Sequence, residues 1–344
     1  MTGHPIPGPG GTWRSWHLHA ASLAPAHLDT VVTEALGPLA DRMGLLDQDG
    51  PPWFYLRYWQ RGPHVRLRIA GLTGAEADDV ESELADRLRT IDAALPPEQR
   101  LDQDTYARAV RPLATAGESG SPLDVGELLP PGVHRAEYEP EYERYGGREL
   151  IAGSEEVFHR SSRVALRVCR ARAGIRHGLV SGLEATAAAC SLLAGDDSPT
   201  SRSGFLAAQR DMWLSWTREG GAAADTVEDA RRQLADHTRR QLASLGALGD
   251  ALRPALKDGD PRWTEWTDPL ERALRQWTAE LGRRRAVHIF ASHVHMTANR
   301  LGVGAGREAH LAQLLLGLLD PTEDGGREGE RATRPHPTEG GGQE

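Results

Sequence analysis

Three stretches of this chain place charged and ring-bearing side chains at spacings that could do chemistry. In His64-Val65-Arg66-Leu67-Arg68 polar and apolar residues alternate. Residues two apart on a strand share a face, so His64, Arg66 and Arg68 point one way while Val65, Leu67 and Ile69 point into a core. The preceding stretch puts Tyr55, Arg57 and Trp59 on one face and Phe54, Leu56 and Tyr58 on the other. If the polar faces of the two coincide, three guanidiniums and an imidazole converge. Guanidiniums without an interleaved carboxylate repel one another, and a ligand carboxylate relieves that repulsion through paired hydrogen bonds. A solvated sheet face, or pairing with the acidic segment Glu137–Glu143, would give the same pattern.

The second stretch, Tyr138 to Gly147, concentrates three acids, three tyrosines and Arg144 ahead of a double glycine. Gly146 and Gly147 permit positive φ and close backbone approach, so the groups before them, Tyr145 included, can be turned into a cleft; a plain capped turn is the other reading. The third is a late helix. There His288, Ser292, His295 and Asn299 stand on one face, with Val287, Ala291, Val294, Ala298 and Leu301 on the apolar side. Such a polar stripe can hold an imidazole where a proton must be moved, or it can be a hydrogen-bonded structural face. His293 and His295 form an H-x-H pair, but on a helix they point roughly 200° apart, so no metal is expected.

The elements that must position these groups follow from periodicity. Trp13–Ala20 reads as a strand and Pro25–Arg42 as a helix. Trp53–Trp59 and His64–Ala70 form a hairpin about Arg61-Gly62-Pro63, and Gly74–Ala94 is a second helix. This β-α-β-β-α start predicts an antiparallel sheet backed by helices on one face. Asp102–Ala116 reads as a helix, Gly117–Gly132 as a loop and Val133–Tyr138 as a strand. From Arg148 to Leu319 the signals are helical, with breaks at Gly195–Pro199, Glu219–Ala222, Lys257–Pro261 and Gly302–Gly306. The expected architecture is α+β, one catalytic unit over 13–320. An α+β half (13–147) is closed over by a helical half (148–320), with a cleft between them. The ends, 1–12 and 321–344, read as disordered.

Composition bounds the function. With 344 residues, 39% hydrophobic and 26% charged, the chain is of ordinary globular type. A net charge of −9 disfavours nucleic acid and anionic membranes as partners. Cys169 and Cys190 have no framework or zinc spacing and read as buried free thiols. Neither a signal peptide nor an apolar run of about 18 residues is present, so the expected location is cytoplasmic. There is no phosphate-binding glycine motif and no G-x-S-x-G elbow, so no cofactor is expected.

Taken in order, Arg57–Arg68 (RYWQRGPHVRLR), Tyr138–Gly147 (YEPEYERYGG) and Ser292–Gly302 (SHVHMTANRLG) resemble the elimination domain of glutamyl-tRNA-dependent lanthipeptide dehydratases in its free-standing, thiopeptide-type form. The likeness runs from about Trp13 to Leu319. It implies an enzyme maturing a ribosomal precursor peptide, leader plus core. The reaction implied removes the α-proton of a glutamylated serine or threonine and expels glutamate, leaving dehydroalanine or dehydrobutyrine. A glutamylating protein is the implied partner. By resemblance Arg66, Arg68 and Arg144 hold the glutamyl group and His295 is the acid/base. With the residue reading, the expected site is His295, Arg144 and Ser292 for catalysis, and Arg57, His64, Arg66, Arg68, Glu118, Tyr145 and Asn299 for substrate. The same scaffold in thiopeptide pathways also joins two dehydroalanines by a formal [4+2] aza-cycloaddition with release of the leader. Two departures keep that reaction open: a longer Leu101–Arg135 segment, and Arg160-Ser161-Ser162 where the dehydratases tend to have Asp-Ser. A leader-binding subunit without catalysis is the third reading.

Overall fold

Short alternating runs form four strands in the structure, a computed structural model that describes residues 12–116, 123–171, 175–196, 198–219 and 226–319. They are β1 (Trp13–His19), β2 (Trp53–Tyr58), β3 (His64–Ala70) and β4 (Gly132–Ala136). Their order is β2-β3-β1-β4 and every neighbouring pair is antiparallel. Trp16 and Leu18 of β1, Val65, Leu67 and Ile69 of β3, and Trp53 and Tyr55 of β2 are buried in the core. The indole of Trp16 donates to Glu81 on α3 (Gly74–Ala93), which lies along β1 and β4. Thr73 starts α3 with a reciprocal cap: its hydroxyl accepts from Glu76 N–H while the Glu76 carboxylate accepts from Thr73 N–H.

The helix expected over 25–42 is present but interrupted. It runs as α1 (Pro25–Thr30), a π-helical segment (Val31–Leu36) and α2 (Gly37–Met43). Pro38 explains the widened turn, because it lacks an N–H and its ring crowds the carbonyl four residues back.

After α4 (Gln103–Ala116) and β4 the chain is helical: α5 (Ile151–Ala171), α6 (Ile175–Cys190), α7 (Arg202–Glu219), α8 (Val227–Leu242), α9 (Ala247–Asp258), α10 (Thr264–Leu281), α11 (Arg283–Arg300) and α12 (Ala305–Leu319). The fold is α+β, as its periodicities predict. The breaks after Leu242 and at Gly282, the latter with φ +79°, have no counterpart in the sequence reading. The ends expected to be disordered lie outside the described residues, apart from Thr12. Cys169 and Cys190 are free thiols, half-buried and buried. No described helix is long and apolar enough to cross a membrane.

β2 is an edge strand, and side chains of the helical half close that edge. Trp53 N–H donates to His159 Nδ1 (3.1 Å) and Tyr55 N–H to Ser162 Oγ (3.2 Å), both on α5. Arg57 N–H donates to Asn299 Oδ1 (2.9 Å), and Asn299 Nδ2 returns a bond to Arg57 O (3.0 Å). The amide of Asn299 thus replaces a neighbouring strand, satisfying backbone groups that would otherwise be buried without partners. These bonds fix α5 and α11 against the sheet.

Candidate active site

Gly146 and Gly147, at φ +93° and +106°, bend the chain after β4 so that it lies flat on the helical half. A Cβ at Gly146 would stand 3.0–3.2 Å from side chains of Leu281, Leu150 and Ile289, so any other residue would be crowded as well as strained by the positive φ. The bend brings Arg144 to α11, where its Nε donates to Ser292 Oγ (3.3 Å) and its Nη1 to Glu141 (3.0 Å). Tyr145 inserts beneath, its ring edge-on to Phe158 and tilted against His293.

From the sheet side Arg68 enters the same region, 8% exposed, with its guanidinium over the rings of Tyr138 (4.9 Å) and Phe54 (5.3 Å). Arg300 of α11 is buried opposite, donating from Nε to Ser162 Oγ (2.9 Å). Arg68 Nε, Arg300 Nη1 and His293 Nδ1 are buried without hydrogen-bond partners among the described residues. Burial pulls both guanidiniums down to about 10, and they oppose each other. His293 stacks on Trp277, and burial with the two nearby arginines 300 and 144 holds it neutral. Unsatisfied polar atoms of mainly cationic groups converging in one place suit an anionic ligand.

Glu155 of α5 is 3% exposed and belongs to this cluster. Burial raises its carboxyl to about 7, against the opposing pull of the Tyr138 hydroxyl and the charge of Arg68. It lines a cavity of about 440 Å³ with Trp13, Ser15, Tyr138 and Tyr142. On the polar stripe of α11, His295 Nδ1 lies 2.6 Å from Glu308 Oε1 of α12, and its ring packs on Trp213. Glu308 is buried, which pushes its carboxyl up, and the imidazole beside it acts in the opposite sense.

The model of the lantibiotic biosynthesis dehydratase C-terminal family matches residues 13–319. The chain belongs to that family. Members are enzymes that mature ribosomal peptides, and the described fold is similar to solved structures of such proteins. A pyridine synthase from thiomuracin biosynthesis, TbtD, aligns with TM-score 0.63 at 17% identity, covering 89% of this chain and 97% of its own. TsrL aligns with TM-score 0.58 at 16% identity over 90% and 94%. The tRNA-dependent lantibiotic dehydratase MibB from Microbispora sp. 107891 aligns with TM-score 0.48 at 22% identity, over 95% of this chain and 29% of that one. No curated protein matches.

In this family member the residues picked out by spacing divide. Arg68, Arg144, Tyr145 and Ser292 come together as described. Arg66 stays on the same sheet face as Arg68, its guanidinium 3.6 Å over Tyr58 and its Nε donating to His64 Nε2 (3.1 Å). Arg57 does not join them. Its register partner is Val65, so it lies on the opposite face, bonded to Asp29 (2.5 Å) and to Arg300 O (3.3 Å). Asn299 is engaged with the backbone of β2, a structural task rather than a free substrate contact. His64 is buried in a histidine cluster and held by Gly62 O (2.8 Å). Glu118 lies outside the described residues.

That cluster, His17, His19 and His64, brings ring nitrogens within 4.8 Å of one another. Its rings stack, His19 on His64 at 4.3 Å, and His64 Nε2 already accepts from Arg66 Nε. The arrangement suits stacking better than metal ligation.

Glu155, Arg300, His293 and Glu308 belong to the candidate site without being among the residues expected there from spacing. Glu155 had a signal: it falls among the buried positions of α5, with Ile151, Ser154, Phe158 and Ser162, where a charged residue is exceptional. Glu308 had none, since it meets His295 from a different helix.

Proposed function

We propose that this enzyme eliminates glutamate from glutamylated serine and threonine residues of a ribosomal precursor peptide, giving dehydroalanine and dehydrobutyrine. The observation that carries the reading is the Arg144–Ser292 contact of 3.3 Å, which sets a guanidinium one helical turn from His295. Arg68 supplies a second, buried cation from the sheet, and Arg66 flanks it. These cations hold the glutamyl carboxylate. His295, with Glu308 behind it, takes the α-proton of the esterified residue. The electron pair of that C–H bond becomes the Cα–Cβ double bond, the Cβ–O bond breaks, and glutamate departs as a carboxylate. The carboxylate released from the ester is a weak base and needs little protonation, so the histidine's main task is abstraction.

The substrate is delivered by a partner that glutamylates the peptide. Incubating the purified enzyme with a glutamylated precursor peptide tests the reading: mass spectrometry should show loss of glutamate at each site. An unchanged glutamylated peptide would refute it. Conversion of a linear peptide bearing two dehydroalanines into a macrocycle with free leader would replace it by the cycloaddition.

A further inference from the structure

Arg68 and Glu155 carry opposite charges, are buried in one cluster, and form no ion pair with each other or with any other described residue. Tyr138 spaces them. Its ring lies 4.9 Å beneath the guanidinium and its hydroxyl is beside the carboxyl. A buried charge normally closes on a counter-ion when one is in reach, because each otherwise bears its desolvation alone. Glu155 and Tyr138 line a cavity of about 440 Å³, and Arg68 reaches this place through the Tyr138 ring it covers, so the two charges stay apart where a ligand could bring its own pair.

We propose that Arg68 and Glu155 form a clamp for a zwitterion, Arg68 binding a carboxylate and Glu155 an ammonium group of the same amino acid. For the identity of that amino acid the inference rests on the elimination reading. Glutamate transferred from an aminoacyl ester is joined through its α-carboxyl. The ester therefore presents a free α-ammonium and a free side-chain carboxylate, the two charges the clamp offers to bind. Glu155 then separates a glutamyl ester from a plain diacid ester, which the arginines alone could not do. The charged and titratable groups facing Glu155 are Tyr138, from the segment after β4, and Arg68, from β3. Burial raises the carboxyl to about 7, so the clamp is charged on the alkaline side of neutrality.

The test is calorimetric titration at pH 8 with L-glutamate and with glutarate, which keeps both carboxylates and lacks the amine. Wild-type enzyme should prefer L-glutamate by about tenfold or more, the scale of a charge-assisted hydrogen bond in a partly buried site. Glu155→Gln should bind the two alike, with glutarate no weaker than in wild type. Equal wild-type affinities, or no measurable binding of either, would overturn the clamp, and that arm needs no variant to fold. Equal loss of both ligands in a folded Glu155→Gln would also overturn it. Running the elimination assay in parallel separates the two ideas. A glutamate preference without elimination removes the reaction and leaves the clamp; elimination without preference does the reverse.

Discussion

His295 and Glu308 face each other across the α11–α12 junction with 2.6 Å between Nδ1 and Oε1. A carboxylate there accepts the Nδ1 proton, which leaves Nε2 as the basic nitrogen and stabilises the imidazolium that proton abstraction creates. His295→Ala should lower turnover about 10²–10⁴-fold and let glutamylated peptide accumulate. Glu308→Gln keeps the shape and removes the charge, so it should lower kcat while KM changes little. Single-turnover kinetics on a glutamylated peptide checks both.

Arg68 separates stability from function. A buried guanidinium with an unpaired Nε is a cost to folding, and Met keeps its length without its charge. Arg68→Met should leave Tm unchanged or raise it by roughly 2–4 °C, while KM for a glutamylated peptide rises about tenfold or more. Thermal melts beside steady-state kinetics decide the matter. A large fall in Tm would make Arg68 a structural residue.

Asn299 should behave in the opposite way. Asn299→Ala strips partners from both N–H and C=O of Arg57 at the β2 edge, for a loss of about 2 kcal/mol or more. Urea denaturation measures it. Peptide affinity of the folded fraction should be close to wild type.

The behaviour of Arg57 shows where sequence legibility stops. Period-two alternation revealed both hairpin strands and the shared face of His64, Arg66 and Arg68, because alternation is local. Whether Arg57 joins that face depends on register, and register depends on the connection 59–63. With Tyr58 opposite His64, Arg57 falls opposite Val65; a connection one residue longer or shorter would have turned it over. The glycine pair and the α11 stripe were legible for the same local reason. The Arg68–Tyr138–Glu155 cluster and the His295–Glu308 pair join elements distant in sequence, and no periodicity encodes such meetings.

Gly146 offers a test of how Arg144 is delivered. Gly146→Ala adds a methyl group 3.0–3.2 Å from three apolar side chains at a positive φ, costing about 1–3 kcal/mol. The turn should lift from α11 and break the Arg144–Ser292 contact. Turnover should then fall more than the stability loss explains, as measured under conditions where the variant is fully folded.

Glu155 also predicts how stability varies with pH. Burial lifts its carboxyl to about 7 in the fold, against 4.5 for an ordinary glutamate. Below the lower value the proton is bound in both states and no penalty arises. As pH rises through this window the unfolded chain ionises freely while the fold resists. Stability therefore falls, levelling off above pH 7 at about 3 kcal/mol lost. His17 and His19 act on the acid side, since burial and neighbouring cations lower them from 6.5 to about 3 and about 4. Their contribution is present above 6.5 and is lost as pH drops, because the unfolded imidazoles take protons that the folded ones refuse. Wild type should thus weaken in both directions from a maximum near mildly acidic pH. Glu155→Gln removes only the alkaline limb, so its advantage over wild type should be near zero at pH 4.5 and grow to as much as about 3 kcal/mol at pH 8. Urea denaturation of both proteins across that range measures the difference, and one that stays constant with pH would mean the carboxyl is not held protonated in the fold.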